Sequence, residues 1–490
     1  MTTPARRLRV CVLQPDYSAS TVDYRHYDPP RDLAPWLPDC DVHHEMLDKR
    51  TTYRQLRTCA ARGYDIYLNL CEGYLDWDVP SIDVIHALEL LELPYTGPTE
   101  RLYDPSKPLM KYVAYTAGVA TPLHVEVPAT SSASEADADW QRACHALPLP
   151  LFVKPAHAGD SLGIDDGSLI HDYHALPERV EALRAEYGDV LVEQYVDGRE
   201  FTVLVLGALT HGAPPRTLRP VEYQFPSGSA FKTYALKTSA LHPSSNVPVM
   251  DESLAARLRE AAAGVFVAFG GVGYARCDFR MGADGTLYFL EINFTCSVCY
   301  PPGLEGSADF IVQFDGIGRT GFLEHVIAEG RARHAATRRR WDRRGNAISG
   351  YGIFAREPLN KGEIVFPGEG EAFRLATRRH VRTTWSETEQ RIYRQYSWPL
   401  SEEVSVLLHA EPDRWAPHNH SCEPNTRYDG LDVIATRVIA VGDELTIDYS
   451  DLTGADAEPF DCACGAVSCR GRITGRAETS TTWREAHRMT

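Results

Sequence analysis

An α/β architecture followed by a smaller, mostly-β unit is the fold this sequence predicts, and three observations predict it. Before residue 345, short β-branched runs such as RVCVLQP, YDIYLNL, LFVKPA, VLVEQYV, FTVLVLG and LYFLEINF alternate with helical patterns at residues 81–93 and 252–269. That alternation belongs to α/β folding with some antiparallel sheet. After residue 345, YGIFAREPLNKGEIVFPGEGEAF and LDVIATRVIAVGDELTIDYS are strand-rich, with glycine turns and few helical stretches. Length is the third: 490 residues exceed one ordinary core, so roughly three or four domain-sized units are expected.

Taken in order, the runs also exclude several classes. The longest apolar stretches, residues 203–206 and 434–440, are far too short to cross a bilayer, and no apolar segment opens the chain; a cytoplasmic enzyme with no membrane partner is expected. A formal charge of −17 argues against broad nucleic-acid binding, which needs clustered Lys and Arg. The one basic run, Arg331, Arg333, Arg338, Arg339, Arg340, Arg343 and Arg344, fits a solvated helix end or linker. PATSSASEADADW fits a polar surface excursion, and no internal repeat is present. Eight of the twelve cysteines (Cys11, Cys40, Cys59, Cys71, Cys144, Cys277, Cys296 and Cys299) are scattered, as buried thiols in a reducing compartment would be.

Chemistry concentrates first at YFLEINF. On a strand Glu291 and Asn293 share one face, and Asp278 lies on a preceding strand-like run separated by the turn GADG, so a hairpin would bring its carboxylate alongside. Three oxygen ligands without thiols suit magnesium. Upstream, LFVKPAHAGDSLGI carries Lys154 and then a small-residue loop, Gly159, Asp160 and Ser161, whose amides are suited to wrapping phosphate. LVEQYVDGRE follows, with Glu193 and Glu200 around a turn.

In order and spacing these segments resemble the ATP-grasp family, in its D-alanine:D-alanine ligase branch, over roughly residues 65–310. The resemblance implies an N-terminal Rossmann-like subdomain, then an ATP-grasp lid and core, using ATP and magnesium. It implies that Glu72 in NLCEG holds a substrate ammonium, that Lys107 and Lys154 bind phosphates, and that Glu193, Gln194, Tyr195 and Val196 form the adenine hinge. Glu200 would bind ribose, Lys237 in FKTYALKTSA would cover the γ-phosphate, and Arg276 would steady the acyl-phosphate transition state, with Asp278, Glu291 and Asn293 as the metal ligands. A homodimer through this module is implied as well. One departure stands out: FTCSVCY replaces the family's Pro-Gly turn after the metal-binding asparagine. That puts a D-alanine acceptor in doubt, and Cys296 and Cys299 fit altered pocket lining better than a redox or metal pair.

The second concentration begins at NHSCEPN. Together with GYGIFA, GDELTIDYS and FDCACGAVSCRG it resembles the SET-domain methyltransferases with a post-SET zinc motif. The resemblance implies a SET β fold with S-adenosylmethionine bound by Gly350, Tyr351, Gly352, Asn419, His420, Tyr449 and Phe460, and zinc held by Cys422, Cys462, Cys464 and Cys469. Three thiolates within eight residues leave a tetrahedral site one ligand short; Cys422 completes it in the family pattern. Methyl transfer needs a neutral amine, and freeing a lysine amine at pH 7 costs about 4.6 kcal/mol unless the channel lowers its pKa. Tyr449 is the residue expected to orient that amine.

The boundaries that result are an N-terminal α/β subdomain at 1–103, ATP-grasp subdomains at 104–330 and a basic linker at 331–346. A SET domain follows at 347–451, a post-SET zinc segment at 452–475 and a tail at 476–490. The expected function is bifunctional: ATP-dependent amide formation through an acyl phosphate on amino-acid-like substrates, and amine N-methylation. Tethering raises the effective concentration of one module's product near the other, which suggests small-peptide metabolism. The alternatives are a SET module that methylates protein lysines and one that serves only as a scaffold. Residues 371–415 match no signature.

Overall fold

The computed structural model describes residues 6–18, 28–73, 78–129, 133–157, 162–210, 212–225, 231, 245–346, 348–368, 374–399, 401, 403–407, 418–453 and 459–475. The chain forms two compact units that divide between Arg338 and Arg339.

The first unit opens with a parallel sheet of β1 (Leu8–Pro15), β2 (Cys40–Leu47) and β3 (Ile66–Asn69), in the order β2-β1-β3. Strand β1 is buried on both faces. Val10 and Val12 face one core, while Cys11 and Leu13 face another built with α1 (Thr52–Ala60) and α2 (Ile82–Leu90). Helix α3 (Lys107–Thr116) follows, N-capped by Ser106. A four-stranded antiparallel sheet then forms from β4 (His124–Val127), β5 (Leu151–Pro155), β6 (Leu169–Ile170) and β7 (Val190–Gln194), ordered β4-β7-β5-β6. It is backed by α4 (Ala133–Ala146) and α5 (Leu176–Tyr187). Part of the polar excursion PATSSASEADADW is therefore helix.

The third sheet contains β8 (Arg199–Leu206), β9 (Arg216–Thr217), β10 (Val221–Tyr223), β11 (Asn246–Pro248), β12 (Tyr274–Met281) and β13 (Leu287–Asn293). Its order is β11-β10-β8-β12-β13, with β9 beside β8, and all its described pairings are antiparallel. Phe201, Val203 and Val205 of β8 pack towards α6 (Glu252–Ala268), and Leu204 and Leu206 pack the opposite way. Two of the three sheets are thus antiparallel, so parallel α/β winding is confined to the first. Helices α7 (Ser307–Asp315) and α8 (Gly318–Thr337) close the unit.

Within the 331–346 stretch only Arg338, Arg339 and Arg340 lie between elements. Arg331 and Arg333 belong to α8, where Arg333 pairs with the buried Glu329 at 3.2 Å and donates to the Tyr95 and Gly97 carbonyls. Arg343 and Arg344 belong to β14 (Trp341–Asn346), which pairs with β15 (Gly350–Ala355).

The second unit is mostly β. Strand β16 (Ile364–Phe366) joins β21 (Thr426–Asp429) and β22 (Asp432–Ala435), and β20 (Asn419–His420) runs parallel to β23 (Thr446–Ile447). Trp341, Ile353, Leu359, Val365, Ala435, Ile439 and Leu445 form its core. Between them β17 (Arg374–Thr377), β18 (Ser397–Pro399) and β19 (Val404–Leu407) make a small sheet covered by α9 (Arg378–Thr384) and α10 (Glu387–Tyr396). A short helix, α11 (Tyr449–Leu452), precedes the hairpin of β24 (Phe460–Asp461) and β25 (Arg472–Ile473).

Two candidate active sites

In the first unit an open cleft of about 850 Å³, solvent included, lies between the second and third sheets. Phe152, Lys154, Glu193, Gln194, Tyr195 and Val196 line one side, and Glu200, Arg276, Asp278, Arg280, Leu290 and Glu291 the other. The β12–β13 hairpin turns at GADG, with Asp278 directly opposite Glu291 and Arg276 opposite Asn293. A β-bulge at this point skips Leu290, so that Phe289 turns into the core while Leu290 and Glu291 both reach the cleft. Asn293 Nδ2 lies 3.4 Å from Glu291 Oε1, and Asp278 accepts from Thr202 at 2.6 Å and from Arg276 on both oxygens at 3.1 Å. Two carboxylates and an amide oxygen on adjacent strands, with no sulfur or imidazole, are a donor set that fits a hard cation.

Three lysines face this set. Lys107 Nζ is 3.8 Å from Glu291, and Lys154 Nζ is 2.5 Å from Glu193. The third is Lys111, one helical turn beyond Lys107, whose fully inaccessible side chain pairs with Glu193 at 2.7 Å. Burial opposes ionisation of Glu193, but the two ammonium groups outweigh it and hold its carboxyl at about 2. Because one carboxylate serves two lysines, burial prevails at Lys111 and lowers it to about 8. Lys111 carried a signal that went unused, its i, i+4 spacing from Lys107. Arg280 did too: it follows Arg276 and Asp278 at the strand period of two.

Glu72 lies outside the cleft, in a smaller pocket with Asn69, Cys71, Ile85, Pro98, Tyr103, Tyr274, Phe294 and Thr295. The nearby turn departs from extended backbone at Cys299, with φ 63°. Asp309, itself buried, holds the turn by accepting from the amides of Cys299, Tyr300 and Gly306 at 2.7, 3.3 and 3.1 Å. Cys296 and Cys299 are both buried, and burial raises both thiols, Cys296 to about 12. That suits packing and opposes thiolate chemistry. Of the scattered cysteines, Cys40 and Cys144 are only half-buried. Gly159, Asp160, Ser161 and Lys237 lie outside the described residues.

In the second unit the parallel β20–β23 pairing sets Asn419 beside Thr446 and His420 beside Ile447. Asn425, the last residue of the heptapeptide, fastens this arrangement by donating to the Glu444 carbonyl and accepting from the Thr446 amide, both at 2.8 Å. Asn419 Nδ2 donates to the Tyr351 carbonyl and to Glu444 Oε1, each at 2.7 Å, and Asn346 donates to the same carboxylate at 2.6 Å. Gly350 adopts φ 85°. At Gly352 an added Cβ would fall inside the van der Waals shell of Glu444 Oε1 and 3.1 Å from Asn419 Nδ2. His420, Tyr449 and Phe460 form an aromatic triad with ring centroids 5.5–5.8 Å apart, and the Tyr449 hydroxyl donates to the His418 carbonyl at 2.6 Å. The sequence signals missed Asn346 and Glu444.

The thiols converge as well. Ligand atoms of His420, Cys422, Cys462 and Cys464 lie within 4.8 Å of one another, and Cys469 Sγ sits 3.7 Å from the Cys462 carbonyl. Hydrogen bonding discriminates between His420 and Cys469 as the fourth ligand. The Tyr449 amide donates to His420 Nδ1 at 3.1 Å, closer than Asp448 Oδ1 at 3.5 Å; with Nδ1 accepting, a neutral ring carries its proton on Nε2, which lies 3.4 Å from Cys422 Sγ. That nitrogen is then a donor to sulfur and has no lone pair for a metal. Arg470 adds N–H···S contacts to Cys422 at 3.3 and 3.5 Å. Burial opposes it, yet the Cys422 and Ala466 amides bring the Cys464 thiol down to about 6. Four cysteines ringed by donors fit a tetrahedral thiolate-bound metal.

The D-ala D-ala ligase C-terminus model matches residues 113–302, and the SET domain model matches residues 350–450. The D-alanine–D-alanine ligase of Bordetella petrii is 31% identical over 249 residues, covering 50% of this chain and 70% of that enzyme. The one from Herminiimonas arsenicoxydans is 33% identical over 220 residues, covering 42% of this chain and 60% of its own. A D-alanine–D-alanine ligase structure from Bacillus anthracis with ATP is 17% identical, covers 67% of this chain and 99% of its own, and has a TM-score of 0.45. The first unit is that of an ATP-grasp ligase, and the second carries a SET domain. More narrowly, the chain belongs to the D-alanine–D-alanine ligase family. Among the described residues no helix is long and apolar enough to cross a membrane.

Proposed function

We propose that the first unit joins a carboxylate to an amine through an acyl phosphate made from ATP, on amino-acid-like substrates, and that the second transfers a methyl group from S-adenosylmethionine to an amine. The observation that carries the first reading is the opposition of Asp278 and Glu291 across the hairpin, with Asn293 beside them and Lys107 and Lys154 facing in. Magnesium held by those three oxygen donors would offset charge on the transferring phosphoryl group. Lys107 and Lys154 bind phosphate oxygens, a role shared by Gly159, Asp160, Ser161 and Lys237. The hinge meets adenine with the backbone of residues 194–196, because the Glu193 side chain is engaged by Lys111 and Lys154. Glu200 takes the ribose, Arg276 stabilises the acyl phosphate at the transition state, and Glu72 holds the substrate ammonium in its own pocket.

In the second unit Gly350, Tyr351 and Gly352 bring backbone close to the methyl donor, Asn419 and His420 hold it, and Phe460 walls it in. Tyr449 orients the acceptor amine so that attack is in line. Zinc at Cys422, Cys462, Cys464 and Cys469 is structural, and it ties the segment bearing Phe460 to the heptapeptide. The small pocket around Glu72 and Asn69 supports a small amino acid or peptide as the ligase substrate, and with it a role in small-peptide metabolism.

Incubating the full chain with ATP, magnesium, S-adenosylmethionine and amino-acid mixtures, followed by mass spectrometry, tests both halves. The expected products are an amide formed with release of ADP and phosphate, and an N-methylated amine or peptide. No ATP-dependent condensation with any amino acid would overturn the first half. Methyl groups appearing only on protein lysines would replace the second half with protein methylation, and failure to bind S-adenosylmethionine would leave a scaffold.

A further inference from the structure

We propose that Arg280 is a positioning residue that gives the ligase cleft its selectivity for a ribonucleotide, by holding Glu200 ready for a sugar hydroxyl. This rests on the nucleotide reading above. Arg280 is buried and sits directly opposite Glu200 in the β8–β12 register. Its Nε and Nη2 both reach Glu200 Oε2, at 3.0 and 2.9 Å, while Oε1 accepts from no described residue. Glu200 is itself buried and lines the cleft. A buried carboxylate without a partner takes up a proton or pays a large desolvation penalty. The guanidinium meets that need with two donors on one oxygen and so fixes which oxygen remains available to accept a hydroxyl.

Arg280 also fixes where that oxygen lies. Its Nη1 donates to the Val196 carbonyl at 2.9 Å, and its guanidinium stacks 4.9 Å from the Tyr195 ring. One planar cation thus joins the adenine hinge to the ribose carboxylate and sets the spacing between base and sugar. Lysine cannot make this fork, because it offers a point charge in place of five donors in one plane. The strand period places Arg276, Asp278 and Arg280 on one cleft face, so the residue is two positions from the metal ligand and belongs to the same surface.

Equilibrium binding of ATP, 2′-deoxy-ATP and 3′-deoxy-ATP to the full chain, with the wild type, Arg280→Met and Arg280→Lys, tests this. The wild type should prefer ATP over at least one deoxynucleotide by about tenfold, the worth of one hydrogen bond to a charged acceptor. In both variants that preference should shrink to about twofold or less while ATP still binds, and kcat at saturating ATP should change less than KM. A merely structural role would weaken all three nucleotides in parallel, and that outcome overturns the proposal. So does a wild type that binds ATP without discrimination, or Arg280→Lys retaining the full preference. A wild type that ignores ATP would instead overturn the nucleotide reading beneath it. Should Arg280→Met not fold, Arg280→Lys decides.

Discussion

Replacing Glu193 with glutamine should destabilise the first unit strongly at neutral pH and progressively less as pH rises. The carboxylate is buried between Lys111 and Lys154, at 2.7 and 2.5 Å. Its pKa is lowered from 4.5 to about 2 because the two ammonium groups outweigh the burial penalty. At about 1.4 kcal/mol per pKa unit this depression corresponds to roughly 3 kcal/mol at pH 7, and breaking a buried pair typically costs about 3–5 kcal/mol. The two figures agree on about 3 kcal/mol. The variant can escape part of this by releasing the Lys111 proton. That lysine already sits at about 8 because of burial, and without Glu193 it falls further.

The sign is fixed by linkage. Between the folded pKa of Lys111 and its unfolded value near 10.5, the unfolded chain binds the extra proton, so stability rises with pH. Glu193→Gln lowers the bottom of that window, and its deficit relative to wild type should narrow from pH 6 to pH 9. Urea unfolding followed by far-UV circular dichroism at pH 6, 7.5 and 9 measures it. A deficit below about 1 kcal/mol at pH 6, or one that stays constant across the series, would refute the shared-carboxylate account.

Three further outcomes follow from the geometry. Gly352→Ala should weaken S-adenosylmethionine binding at least tenfold without unfolding the second unit, because its Cβ would displace Glu444 and Asn419; titration calorimetry checks it, and unchanged affinity would remove the glycine from the donor site. Cys469→Ser should lower the zinc content of the purified chain and His420→Gln should leave it near stoichiometric, measured by atomic emission; the reverse pattern would make His420 the ligand. Asp309→Asn should cost about 2 kcal/mol, since an amide NH₂ would face backbone N–H groups where a carboxylate accepted three; chemical denaturation reads this, and a neutral substitution would mean the Cys299 turn holds itself.

Much of the ligase cleft was legible because strands enforce a period of two. Glu291 and Asn293 had to share a face, and a four-residue turn after Arg280 and Met281 had to return the chain beside Asp278. The bulge at Leu290 was not legible, since a single extra residue in a ladder leaves no mark in an apolar run. Lys111 was hidden by a different cause: on a helix a lysine is ordinarily solvated, and only the fold shows that Glu193 arrives to meet it. In the second unit the heptapeptide announced Asn419 and Cys422, but Glu444 is enlisted by Asn346, 98 positions earlier in the chain, a pairing that no local spacing encodes. The basic run was legible as a solvated helix end for Arg331, but not in Arg333, which finds a buried acid, or in Arg343 and Arg344, which join a strand.

The placement of sulfur in the two units carries a practical consequence. Six thiols of the first unit are sealed in its interior, whereas the four gathered in the second unit are only half-covered. A peroxide burst or an exposed electrophile would reach the outer four sooner. Damage there would loosen the strand bearing Phe460 and release His420 from the sulfur it contacts. The methyl transfer proposed for the second unit would then fail before the condensation proposed for the first, and protein purified under air would show the ligase activity alone.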